Sequence, residues 1–259
     1  IIRGIFLKNI NKTANTAMLA GEILLISGTE VFRIEDTMNH ILDSASGAKH
    51  NVMVMSTGIN LTLSNSEGVV TMTNRVRERA TNLNHICLVN TISRRLGEGK
   101  ISIDQAYRSL REVKELVLYP PLLKYSLYTV SSLLFTILFN GSFIECISAF
   151  FVGIVLSAVH FFASILGFND FIVNALSTFF LTLSAILLKK FVFLNMNIDP
   201  VVISGLTPLV PGVAFSNSMR DIFNGDYISG TARMLESIVT ALGLAVGVGS
   251  AVAITGSWI

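Results

Sequence analysis

The chain has 259 residues, 51% apolar and 14% charged, with a net charge of +2 and a mean hydropathy of +0.64. An ordinary soluble domain carries about 25% charged residues, so a wholly soluble protein is excluded, and no basic stripe with interleaved aromatics points to nucleic acid. Cys87 and Cys146 are far apart, which argues against a disulfide framework or a cysteine-ligated metal and reads both as small buried hydrophobes.

The shortage of charge is local. Fifteen of the nineteen Lys and Arg, and eleven of the seventeen Asp and Glu, precede Leu127. The expected fold is an N-terminal α+β soluble domain (1–120) followed by an all-α membrane domain (121–259). The early apolar residues are broken by Arg3, Lys8 and Lys12, which does not match a secretory signal.

In chain order, Ala14, Ala17, Met18, Leu24 and Leu25 form a helical stripe over 14–26, with Gly28 as its stop. Thr29 is placed to cap a second helix whose inner face is Val31, Ile34, Met38, Ile41 and Leu42, with Gly47 at its end. Strict alternation over 59–64 predicts a half-buried strand. A turn at 65–68 returns the chain over 69–76, and 50–55 is a further strand. Helical pattern resumes over 80–96, and Ser102 with Gln105 forms a capping box for a helix to about residue 118. Pro120 and Pro121 stop it. Asp36 and His40 lie one helical turn apart and could hold a metal, but a solvated face opposite the apolar stripe fits that spacing better, so no metal or cofactor is expected. No nucleophile elbow, phosphate loop or zinc signature appears, which argues against an enzyme.

Five apolar runs follow, over 122–139, 143–163, 171–188, 198–215 and 235–254, and about 20 such residues cross a bilayer. Asn140-Gly141 makes a tight reversal. Lys and Arg placement keeps the N-terminal domain in the cytoplasm, although Lys189-Lys190 then falls outside. Glu145 lies just past a turn and is a candidate proton carrier. Asp199-Pro200 reads as a helix start. Gly243 and Gly247 allow close packing within the chain or with a second subunit.

The fourth run is broken. Pro208 and Pro211 lack backbone donors, and Gly205 and Gly212 add looseness. Interrupted backbone at bilayer depth must face protein or a wet cavity, an arrangement that transporters use to hold a solute. Asn217, Arg220 and Asp221 follow, then Arg233 and Glu236 one turn apart, able to pair with each other or with Asp221 and Arg220. Charges at such depth normally pair or line a path, and the alternative is a solvated cytoplasmic loop.

The run SGTEVFRIEDTMNHIL (27–42), the hairpin region, and LVPGVAFSNSMRDIFNGDYISGTARMLES (209–237) resemble the threonine/serine exporter family. The length is similar to the larger component of its two-component type, whose remaining spans lie in a small multi-span membrane partner. The resemblance implies a hetero-oligomer in the cell inner membrane. It implies proton-driven export of a small amino acid, threonine or serine, or of a succinate-like dicarboxylate. It marks Pro211, Gly212, Asn217, Arg220, Asp221, Gly225, Asp226, Arg233 and Glu236 in the path region. By their chemistry, Arg220 or Arg233 could hold a substrate carboxylate, and Asp221, Asp226 or Glu236 could carry a proton or receive an ammonium group. It marks Gly28, Glu30, Arg33, Glu35 and Asp36 in the soluble domain. A reading from another class is a membrane-anchored sensor or enzyme acting through Glu35, Asp36 and His40.

Overall fold

The computed structural model describes residues 2–44, 49–65, 68–77, 79–117 and 119–256. Its chain divides into two compact units. One is Ile1–Leu116 with Gly212–Leu235, and the other is Val117–Pro211 with Glu236–Ile259. Gly47, Ser66, Glu67 and Leu118, expected at a helix end, in a hairpin turn and at a second helix end, lie outside the described residues.

The first unit opens with α1 (Ile2–Ile26), which starts earlier than its apolar stripe. Three successive bonds close it: Ser27 N–H to Ile23 O, Gly28 N–H to Leu25 O and Thr29 N–H to Leu24 O. Gly28 takes φ +79°, the left-handed conformation that lets the chain leave the helix at little steric cost. Helix α2 (Val31–Asp43) buries Val31, Ile34, Met38, Ile41 and Leu42, the stripe read from its period. Strands β1 (Lys49–Met55), β2 (Gly58–Asn65) and β3 (Gly68–Arg75) form one antiparallel sheet in that order. Val54 sits opposite Ile59 and Leu61 opposite Met72, so alternate residues feed the core under α1 and α2.

Helix α3 (Leu83–Gly97) begins later than its pattern because Asn82 caps it, accepting from His85 N–H. Helix α4 (Ile103–Glu115) carries the expected Ser102/Gln105 capping box and ends three residues short of expectation. Cys87 is exposed, contrary to its reading as a buried hydrophobe, because it lies on the outer face of α3; Cys146 is half-buried.

The second unit holds α5 (Pro121–Leu138), α6 (Phe143–Ile165), α7 (Asp170–Phe191), α8 (Ile198–Leu206) and a 3-10 turn (Thr207–Leu209). Asn140 at φ 59° makes the reversal between α5 and α6. Asn197, not Asp199, caps α8, because its side chain reaches Asp199 N–H and moves Pro200 to the third helical position. Two final helices, α9 (Gly212–Phe223) and α10 (Tyr227–Thr255), complete the chain.

Among the described residues three helices are long and apolar enough to cross a membrane: α6, α7 and α10. The pair interrupted after Leu209 brings this to four at most, and Tyr125–Leu138 is a shorter apolar helix. The second unit wears its apolar residues outside, including Phe143, Phe150, Phe151, Ile154, Phe162 and Leu187. Ser132, Thr136, Ser148, Ser177, Thr178 and Ser204 are fully buried inside it. Apolar outside and polar inside suits hydrocarbon as solvent. In this unit α10 packs on α7 through its small residues. A Cβ on Gly243 would meet Phe171 O, and one on Gly247 would overlap Thr178 and the Ala175 carbonyl. The G-x-x-x-G pair is therefore used within the chain.

Candidate functional site

The two sequence motifs meet inside the first unit. Val31 is the first residue of α2, and the preceding residue, Glu30, makes no side-chain cap. Thr29, expected to cap, does not; its hydroxyl is buried without a partner. The cap comes instead from Asp221 on α9, whose Oδ1 accepts from Val31 N–H at 2.8 Å, 190 residues away in sequence. A carboxylate is favoured there because the helix N-terminus carries partial positive charge and unpaired N–H groups.

The other oxygen of Asp221 accepts from Arg233 Nη1 at 2.8 Å, with side-chain exposures of 0% and 8%. Removing one member of so deeply buried a pair strands the other charge. Nearer solvent, Arg220 Nη1 donates to Glu30 Oε1 at 2.9 Å, and Arg33 lies 3.7 Å from the other oxygen of Glu30. Burial pushes the Glu30 carboxyl up, but its own backbone N–H, the Arg220 hydrogen bond and the Arg33 and Arg220 charges outweigh this and hold it below the ordinary range. Asn217 Nδ2 donates to Gly28 O at 3.0 Å. Asn217, Arg220 and Asp221 thus fasten α9 to the α1–α2 corner, and Arg233 fastens the start of α10 to the same point.

A second row of contacts holds the sheet. Glu35 Oε1 accepts from Val54 N–H at 2.9 Å, and Ser229 Oγ on α10 accepts from Ser56 N–H at 3.2 Å. Burial raises the Glu35 carboxyl, a rise partly offset by Val54 and increased by the Asp226 charge. Asp226 is raised by burial and by Asp221. Gly225, at φ +94°, turns the chain from α9 into α10. Gly230 lets the helices touch, since a Cβ there would meet Ile222 N at 2.8 Å and Ser218 O at 2.9 Å.

Pro208 is in the 3-10 turn and Pro211 follows it, both half-buried in the second unit. Gly212, exposed, opens α9. Glu236, exposed, is the first residue that α10 contributes to the second unit. Glu145 lies in the second unit too, where Oε2 accepts from Ser142 N–H at 2.6 Å and Oε1 from Asn197 N–H at 2.9 Å. It completes the capping box of α6 and ties the start of α8. Asp36 is exposed on α2.

The second unit contains a seam of hydroxyls that sequence reasoning missed. Thr129 bonds Ser157 at 3.0 Å, Thr136 bonds Ser204 at 2.6 Å just before the break, and Thr178 donates to Leu244 O at 3.1 Å. Each lies in an apolar run, where single Ser and Thr residues carry no periodic signal. Thr182, buried in the same unit, has a hydroxyl without a partner.

A family model, ThrE, described as a putative threonine/serine exporter, matches residues 15–255. No curated protein and no solved structure gives a match.

Proposed function

Because the chain belongs to the ThrE family of threonine/serine exporters, we propose that it carries threonine and serine outward across the inner membrane, driven by the proton gradient. The buried hydroxyl seam of the second unit carries this reading. Thr129, Thr136, Ser177, Thr178, Thr182 and Ser204 are buried inside an apolar-faced bundle; all but Thr182 already bond protein groups, so a small hydroxylated zwitterion leaving water would exchange hydrogen bonds with them. The interruption from Thr207 to Pro211 adjoins the Thr136–Ser204 bond. It frees backbone groups that a polar solute or water can satisfy.

In this reading Arg220, Asp221 and Arg233 have a fastening role. Both oxygens of Asp221 are occupied by Val31 and Arg233, so the pair is a clamp, and Arg220 with Glu30 is its solvent-side latch. The chain runs from α8 through Pro208 and Pro211 into α9, which makes this stretch the covalent link between the path and the clamp. The first unit belongs on the cytoplasmic side, and a small multi-span partner completes the assembly.

Right-side-out membrane vesicles from cells expressing the full chain, preloaded with labelled threonine, test this. Acidifying the outside should speed efflux, and a protonophore should remove the acceleration. Efflux identical to that of control vesicles at every pH gradient would defeat the reading; acceleration for labelled succinate alone would replace the amino acid by a dicarboxylate.

A further inference from the structure

A groove of about 410 Å³ lies between α2 and α3 in the first unit. That volume falls in the range of small-molecule sites. Arg33, Asp36 and His40 line one wall at helical spacing, and Asn90 and Arg94, one turn apart on α3, line the other. Thr29 also lines it, 2% exposed, with a hydroxyl that has no partner. A buried hydroxyl left unpaired in a protein is unfavourable and is ordinarily satisfied by something.

The charges are arranged in complementary fashion. Among the described residues neither Asp36 nor Arg94 is in an ion pair within 4 Å, and the Arg94 side chain acts on Glu98, one turn along α3, only through its charge. Arg33 holds Glu30 only at 3.7 Å, while Arg220 holds the same carboxylate at 2.9 Å, so Arg33 can turn into the groove and leave Glu30 paired. His40 is packed against α3 at Gly97, where an added Cβ would strike its ring.

We propose that this groove is a regulatory site for a small zwitterionic amino acid. The Arg94 guanidinium takes the carboxylate in a two-point contact, and Asp36 takes the ammonium. Arg33, shared between the groove and Glu30, links occupancy to the latch with Arg220. This rests on the reading that the chain handles threonine and serine, and it adds a sensing site distinct from the path.

The test is thiol protection in the detergent-solubilised full chain. Asn90→Cys is placed in a Cys87→Ser, Cys146→Ser background, and alkylation by a small neutral maleimide is timed with and without L-threonine. At about ten times the dissociation constant, mass action should slow alkylation about tenfold. Arg94→Ala or Asp36→Asn should abolish the protection. Alkylation unchanged by threonine at any concentration overturns the proposal, as does equal protection by acetate, which lacks the ammonium group. Threonine exchange measured in vesicles of the same cells separates the two ideas. Protection without exchange keeps the site and removes the exporter reading; exchange without protection removes the site alone.

Discussion

Replacing Arg233 by Ala should destabilise the first unit severely. Asp221 is 0% exposed and has two partners, Val31 N–H and Arg233. Without the guanidinium, a carboxylate stays buried with one backbone donor. Removing one member of a buried pair typically costs about 3–5 kcal/mol. For a unit of this size each kcal/mol lowers the melting temperature by about 2–4 °C, so a fall of about 6–20 °C is expected in a thermal melt of the full chain in detergent. Asp221→Asn combined with Arg233→Met should recover at least half of that loss, because the Asn carbonyl oxygen can still accept from Val31 and no charge is stranded. Hydrogen exchange supplies the local readout: the α2 N-terminal amides should exchange faster in Arg233→Ala and return toward wild type in the double variant. A melting shift under 2 °C in Arg233→Ala, or a double variant as unstable as the single, would refute the clamp.

Glu35→Gln should raise the melting temperature at pH 7, since Gln Oε1 still accepts from Val54 and the folded protein raises this carboxyl. A raised acid favours its protonated form, so its penalty grows as pH rises from the ordinary value to the raised one; the gain should vanish below about pH 4, and a gain that persists there contradicts the sign. Arg220→Ala should cost more than the about 1 kcal/mol of an exposed pair and less than the about 3–5 kcal/mol of a fully buried one, because its side chain is 62% exposed while Glu30 is 5% exposed and keeps Arg33; it should also slow threonine efflux, and unchanged efflux removes Arg220 from the mechanism. Glu145→Gln should keep proton-dependent efflux, since both oxygens serve backbone N–H groups, while Glu145→Ala should cost about 1–2 kcal/mol through the lost cap; loss of pH dependence in Glu145→Gln would make it a proton carrier after all. Thr178→Val should weaken α7–α10 packing by about 0.6 kcal/mol, read as a small drop in melting temperature, whereas Gly247→Val should prevent assembly because Thr178 and the Ala175 carbonyl fill the space.

The parts of the fold that repeat were readable in the sequence. Val31, Ile34, Met38, Ile41 and Leu42 announced the buried face of α2 by their period, and the alternation in β2 announced a sheet with one covered face. Local caps at Ser102 and Gln105 were readable because both partners sit within one turn. What was not readable depends on distant residues. Thr29 has the chemistry of a cap and the right position, but Asp221 from the far end of the chain takes that amide instead. The stretch after Pro211 reads as the continuation of a broken span, and by length and composition the two helices either side of the break do pass together as one bent span; what the sequence did not show is that the charged face of α9 finds its partner on the segment that opens α2. Arg233 had several candidate partners by spacing, and the fold brings Asp221 to 2.8 Å from it. The groove residues Asn90 and Arg94 had no signal of their own, since their significance depends on the proximity of Asp36 across α2 and α3.

Counterflow tests the central claim most directly, because it needs no driving force. Membrane vesicles from cells expressing the full chain, loaded with unlabelled threonine, should transiently accumulate labelled threonine above equilibrium, and labelled serine should do the same. Vesicles that take up neither label faster than those from cells without the chain would contradict the account.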